Sequence, residues 1–417
     1  MGKRLVLSAA CLLVLSGAAK AQRLTLGGYG EATYSYNFYS DNPYRYLYPD
    51  RYKDTDGHGR FDLPHVVVMM GYDFGRGWTM GTEIEFEHGG TEVSIEVEGD
   101  EAIEVEHEVE RGGEVFLEQF WLNKEFLPAL QMRAGMLIVP VGLTNGHHLP
   151  TEFFTVFRPE GENTILPCTW HQIGISLWGR AGAWRYEGML LPGLNSRFFD
   201  NAGWVHRGSA SPYEYTVGNQ LAGAFRVDNT SIRNLRLGLS AYAGGTNNDA
   251  YPRGQGISVV PDGTLLIGAF DFEYAGSHLV ARGNADYGHL SNAAAIGTSN
   301  KNSDNSVYSP YSHTFVGRNA LAFGAEAGVD LLSWRARPDG RRLFLFGRYE
   351  YYDSYVPSAS QTDYQWTDRS RIALGVNYRP LKDIVIKAEY SHRFFKSQYN
   401  NEPSISLGIA YSGFFKH

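Results

Sequence analysis

Alternation of apolar and polar side chains is the main signal along this chain. Residues 81–88 read GTEIEFEH, so Glu83, Glu85 and Glu87 alternate with Ile84 and Phe86. A strand sends successive side chains to opposite faces, which here gives one row of carboxylates and one apolar row. The same period of two runs through 24–38. There Leu24, Leu26, Ala32, Tyr34, Tyr36 and Phe38 oppose Thr25, Tyr29, Glu31, Thr33, Ser35 and Asn37. In 60–74 it gathers Val66, Val68, Met70, Tyr72 and Phe74 on one side. Such segments recur to the C-terminus, where 404–415 is the last. They predict about 16 strands, most near the roughly 9–11 residues that cross a bilayer when tilted.

The connections have a rhythm of their own. Tight turns such as Gly75-Arg76-Gly77 and Ala275-Gly276-Ser277 alternate with long polar stretches at 39–59, 89–113, 140–170, 192–213, 244–263, 291–319, 353–368 and 393–402. Short periplasmic turns and long extracellular loops are the habit of transmembrane barrels. Soluble sandwiches also alternate apolar and polar residues, but no linker or shift in composition divides this chain into such domains. The pattern therefore predicts an all-β fold, a transmembrane antiparallel β-barrel. Closing the sheet pairs every edge N–H and C=O, which lipid cannot do.

A barrel assigns each row a solvent. Ile84 and Phe86 are expected against lipid. The polar row is expected in a water-filled lumen, with Glu31, Glu83, Glu85, Glu87, Arg133, Arg185, Glu187, Arg282, Asp286, Glu326, Arg348, Glu350, Lys387 and Glu389 lining it. Trp78, Trp184, Tyr349 and Tyr351 lie near predicted strand ends, where an interfacial aromatic girdle belongs.

Composition agrees with an exported β protein. The chain of 417 residues holds 48 Gly, 27 Tyr and 23 Phe. Its start carries Lys3-Arg4, an apolar run over 5–17 and the small-residue site Ala19-Lys20-Ala21. Residues 1–21 are read as a cleaved signal peptide and 22–417 as the barrel. Cleavage would remove three basic residues and no acid, making the formal net charge of −8 more negative by three. That balance argues against nucleic acid as a partner. Cys168 would be the lone remaining cysteine, so no internal disulfide is expected. No later apolar run approaches the roughly 18 residues of a spanning helix. The expected location is the outer membrane of a Gram-negative bacterium, with its lipids as surroundings.

Residues 92–114 are strongly acidic, from Glu92 through Glu96, Glu98, Asp100 and Glu101 to Glu110 and Glu114. The preferred reading is a solvated hairpin beyond the membrane; the alternative is a rim that attracts divalent cations. His147-His148 with Glu152 offers metal-ligand types, but adjacent residues seldom converge on one ion. No metal or cofactor is expected. No Gly-x-Ser-x-Gly elbow is present, and catalysis is not expected.

Residues 135–179 carry a more specific pattern. The strand 133–139 runs into Pro140-Val141-Gly142-Leu143. A loop with Phe153-Phe154 and Arg158-Pro159-Glu160 follows, and then a return strand with Gly174-Ile175-Ser176-Leu177. This region resembles the phosphate-selective porin O and P family, in particular its porin-like members common in Bacteroidetes. The segments FDLPHVVVMMGYDF and TEIEFEHGG look like that family too. The resemblance implies a 16-stranded outer-membrane channel, often a homotrimer, whose third outer loop folds into the pore. Here that loop would be 141–170. It carries His147, His148, Glu152, Arg158, Glu160 and Glu162 as candidate constriction residues, with Phe153, Phe154 and Trp170 as anchors on the wall. Phosphate selectivity does not carry over, because the predicted lumen mixes signs rather than presenting a line of Arg and Lys. The expectation is a passive diffusion channel for small hydrophilic solutes or ions, general or mildly cation-tolerant. A surface adhesin or scaffold on a barrel anchor is the competing reading. Uptake of hydrophobic substrates would want an apolar lumen and an N-terminal plug, and Gln22-Arg23-Leu24 runs almost straight into the first strand.

Overall fold

The computed structural model describes residues 23–415 apart from 90, 92, 100–104, 112, 212, 247–260, 304–310 and 335–339. The proposed signal peptide, and Glu92, Asp100 and Glu101 of the acidic stretch, lie outside the described residues. In chain order the strands are β1 (Arg23–Asn37), β2 (His58–Asp62), β3 (His65–Gly75), β4 (Trp78–Glu87), β5 (Val93–Gly99), β6 (Val105–Arg111), β7 (Glu114–Leu127), β8 (Leu130–Ile138), β9 (His171–Ala181), β10 (Trp184–Pro192), β11 (Leu221–Asn229), β12 (Leu235–Gly245), β13 (Thr264–Ala275), β14 (Leu279–Leu290), β15 (Asn319–Asp330), β16 (Arg342–Val356), β17 (Asp368–Leu381), β18 (Ile384–Phe394) and β19 (Glu402–Phe415).

Sixteen of these form one antiparallel wall, and β2 is an extra strand on it. The wall closes on itself through β1, which pairs with β3 on one side and with β19 on the other, from Leu26↔Phe415 to Asn37↔Ser404. Closure leaves no sheet edge in need of a partner. The sequence pattern reads 60–74 as a single strand, but the structure breaks it. Proline lacks an N–H and restricts the residue before it, so the ladder stops at Leu63-Pro64, and β2 pairs separately with the end of β1. Within the acidic stretch β5 and β6 pair antiparallel as a separate two-stranded sheet. No helix among the described residues is long and apolar enough to cross a membrane.

The two rows of each strand separate as the alternation predicts. Ile84 and Phe86 are 40% and 39% exposed, whereas Glu85 between them is 2% exposed. Leu374, Leu407 and Ile409 are likewise exposed on the outer surface. A continuous apolar outer band needs a hydrocarbon solvent to be stable. Trp78 and Trp184 are exposed where they begin β4 and β10, at the end of the barrel with the short turns.

The inner row is not polar along its whole height. Near the short turns it carries charges such as Arg226 and Asp228 on β11 and Asp271 on β13. Toward the long loops the same rows become Ala222 and Ala224, and Leu265 and Ile267. Three long connections fold back onto these small and apolar residues. They supply Trp170, Leu194, Phe199, Trp204, Ile296 and Val316, all fully buried in one apolar core. In the short-turn half the inner rows are thus charged, where the sequence predicts a polar lumen. In the long-loop half the inner wall of β10–β15 meets packed loop in place of water. Gly288 makes room for this packing, since a Cβ there would fall 1.9 Å from the Trp204 ring.

Candidate functional site

The connection between β8 and β9, 139–170, organises the interior. At its root, Gly142 has φ +79°, and a Cβ on it would sit 2.3 Å from Glu162 Oε1. Glycine therefore lets the Glu162 carboxylate lie against the backbone. Glu162 accepts from the N–H groups of Leu143 and Thr144, each at 2.9 Å, and from the Thr144 hydroxyl at 2.7 Å. The buried carboxylate is satisfied by the turn it folds.

Farther along, the loop backbone is bonded to inward side chains of β15–β18. Glu326 accepts from the N–H of Phe154, Glu389 from Val156 and Glu350 from Gly161. Lys387 donates to the carbonyls of Phe153 and Thr155, and Asn377 to that of Phe154. Glu160 reaches both Arg393 and Arg371 and accepts from the Tyr352 hydroxyl at 2.7 Å. Burial alone would raise the Glu160 carboxyl, but the two guanidiniums overcome it and hold the group well below the usual carboxylate range. Phe154 stacks on Phe346, and its partners Phe344 and Phe346 are buried with it.

The predicted loop residues thus part company. Glu160 and Glu162 tie the loop down. Arg158 donates to Cys168 Sγ and Thr169 Oγ1, also within the loop. His147, His148 and Glu152 line a cavity of about 540 Å³ in the short-turn half of the barrel. His147 Nδ1 lies 3.5 Å from Glu152 and 4.0 Å from Glu273.

The predicted wall charges also divide. Arg282, Glu326, Arg348, Glu350, Arg371 and Glu389 form a chain of ion pairs along β14–β18, and Arg348, Glu350 and Lys387 are buried beneath the loop. Asp286 is buried on β14, where Asn284 donates to it. Arg133, Arg185 and Glu187 begin a second chain, continued by Arg226, Asp228, Arg236 and Asp271. Members of this second chain face the 540 Å³ cavity. Its lining includes four arginines (133, 185, 226 and 236) and four carboxylates (Glu83, Glu152, Glu187 and Asp228). Arg133 also lines an adjoining space of about 320 Å³ at the mouth, with Asp73, Arg76 and Glu125. Glu31 and Glu85 are buried on β1 and β4, Glu85 against His65, while Glu87 is half-buried near the end of β4.

Glu118 is the residue that strict alternation misses. The β4–β7 register shifts between Glu83 and Ile84, which pair with Gln119 and Leu117. Glu118 is the extra residue of this bulge, and both Glu118 and Gln119 point inward and are buried. The only trace in the sequence is a break of phase in EVFLEQFWLN, where two polar residues stand side by side.

With this geometry in view, comparison with known proteins gives the following. No family model matches the chain. A protein of Aquifex aeolicus (strain VF5) described as uncharacterized is 27% identical over 389 residues, 91% of this chain and 78% of that protein. A loop L8 deletion mutant of OmpT, an outer membrane protein of Vibrio cholerae, matches with TM-score 0.52 at 11% identity, covering 94% of this chain and 100% of that one. Salmonella typhi OmpF in complex with daunomycin matches at 0.51, also 11% identical, covering 94% and 97%. Pseudomonas putida OprB matches at 0.51 and 10% identity, covering 94% of each. The chain has the fold of the outer-membrane porins. Identity this low carries the architecture across and leaves the cargo to the residues themselves.

Proposed function

We propose that the protein is an outer-membrane channel for passive diffusion of small hydrophilic solutes or ions, narrowed by the loop 139–170. The observation that carries this reading is the charged cavity of about 540 Å³, which Arg133 joins to the space at the mouth. Its lining balances four guanidiniums against four carboxylates, with His147 and His148 beside them. A ring of one sign would select one ion class. A balanced lining favours weak selectivity and hydrated, neutral or zwitterionic solutes. Phosphate preference has no support in this lining. Assembly as a homotrimer belongs to the same proposal, in line with the trimer form of Vibrio cholerae OmpT.

A specific observation supports a second reading, a surface scaffold anchored by its barrel. The apolar core around Trp170 and Trp204 fills the long-loop half on the β10–β15 side. Liposome swelling with sugars of graded size separates the two. A channel admits small sugars and excludes larger ones at a sharp cut-off. A scaffold gives no swelling with any of them.

A further inference from the structure

Three side chains from three separate elements converge beside the loop root. They are Glu83 on β4, Glu118 on the β7 bulge and His148 in the loop. One potential ligand atom from each lies within 4.8 Å of the others. His148 Nε2 is 3.8 Å from Glu118 Oε1. Each of the three side chains also carries a buried atom without a hydrogen-bond partner: Glu83 Oε2, Glu118 Oε1 and His148 Nε2. Glu118 is 0% and His148 7% exposed. Buried polar atoms are nearly always satisfied, so three orphans on three clustered side chains call for an occupant.

The surroundings set up the donors. The His148 Nδ1 atom lies 3.0 Å from the Asn145 carbonyl, which can only accept. Nδ1 therefore carries the proton, and Nε2 presents its lone pair to the cluster. Tyr29 donates its hydroxyl to the other Glu118 oxygen at 3.1 Å and fixes the carboxylate. Neither Glu83 nor Glu118 has a Lys or Arg within ion-pair distance among the described residues. Arg158 spends Nη1 on Cys168 and Thr169. Arg158 acts on Glu118 only from beyond ion-pair distance, so among the described residues no guanidinium or ammonium sits at the point where the two carboxylates and the neutral imidazole meet.

We propose that Glu83, Glu118 and His148 form a divalent transition-metal site, of the Zn²⁺ class, that staples the loop root to the wall. An imidazole nitrogen with carboxylate oxygens suits a borderline ion better than Ca²⁺ or Mg²⁺, which prefer oxygen alone. Bonds of about 2.0–2.2 Å bring tetrahedral ligand atoms to about 3.3–3.6 Å apart, so the His148–Glu118 pair at 3.8 Å needs to close only slightly on binding. Glu83, the least buried of the three, has the freedom to close. Glu83 and His148 face the 540 Å³ cavity, which gives the ion a route in and leaves a fourth position for water. Bulges recur where a side chain must be re-aimed, and here the bulge supplies Glu118. The site pins the loop near its start, as Glu160 pins it at the far wall.

The test uses the full-length protein folded in detergent, stripped with chelator and titrated with Zn²⁺ by calorimetry. Because binding is read without conductance, it stands or falls independently of the channel proposal. One tight Zn²⁺ per chain is expected, not displaced by millimolar Ca²⁺ or Mg²⁺. Glu118→Gln and His148→Gln should weaken it more than about tenfold, and His147→Gln should leave it unchanged. If either ligand variant fails to fold, Zn²⁺ X-ray absorption on the unaltered protein decides, with one imidazole, oxygen neighbours and no sulfur expected. Absence of stoichiometric binding, unaltered affinity in the folded ligand variants, or a shell with sulfur or several imidazoles would overturn the site.

Discussion

Glu160 holds Arg393 through two hydrogen bonds of 2.7 Å, one to each carboxylate oxygen. The first residue belongs to the loop after the fifth wall strand and the second to the fifteenth, so the contact spans the barrel. Arg393 is itself held by Glu402 on the last strand. This paired fork, with Arg371 and Tyr352 beside it, is the far anchor of the loop. Glu160→Gln should destabilise the folded protein by about 2–4 kcal/mol, somewhat less than a fully buried pair, because both partners remain partly exposed. In single-channel recordings the variant should show larger and noisier currents as the loop leaves the wall.

The same anchor predicts a pH dependence. Its folded carboxyl lies below the ordinary range, so its contribution is fully present above about pH 4.3, the unfolded value. It is lost only as pH falls through the lower folded value. Loop closure in the unaltered protein should therefore survive brief exposure to pH 4, while Glu160→Gln should lack this acid transition. Protease accessibility of the loop against pH reads both.

The outer apolar row makes an energetic prediction. Ile84→Lys places a charge on the lipid face of a mid-barrel strand and should cost about 2–4 kcal/mol near the bilayer centre. Glu87→Lys, on the opposite row near the end of β4, should cost much less. Reversible unfolding of vesicle-inserted protein by denaturant compares them.

Gly288 and Trp204 test the apolar core. Gly288→Ala should force the Trp204 ring from its seat, since the wall backbone cannot retreat. Trp204→Ala leaves a cavity in its place, at a cost of about 3–5 kcal/mol. Both should expose the long loops to proteolysis while the barrel stays folded, as judged by its heat-modifiable gel mobility.

Arg133 faces both the cavity and the mouth, where its ion-pair partner is Glu187. Arg133→Ala should shift the balanced lining toward negative charge. The reversal potential in a salt gradient is expected to move toward cation preference, and Glu187→Gln should move it the other way.

These relationships were not equally legible in the sequence. The barrel itself was plain, because period-two alternation over so many segments has one economical solution in lipid. The inward placement of Glu85, Glu187 and Lys387 follows from that period alone. The tasks of the charges do not. Glu350, Lys387 and Glu389 read as pore lining, yet they serve the backbone of a loop distant in sequence. Strand pattern says nothing about what folds across to meet them. Glu118 escaped because a bulge breaks the very period used to find its neighbours. The apolar upper half of the inner wall was written in Leu265, Ile267 and Ala320, but in single strands those residues read as ordinary variation.

The most direct test of the channel itself is the current through purified, folded protein inserted one molecule at a time into a planar bilayer. Discrete, ohmic steps that grow with salt concentration and show only weak ion preference are the result predicted here. A folded and inserted protein that passes no current over a broad range of salts would contradict it.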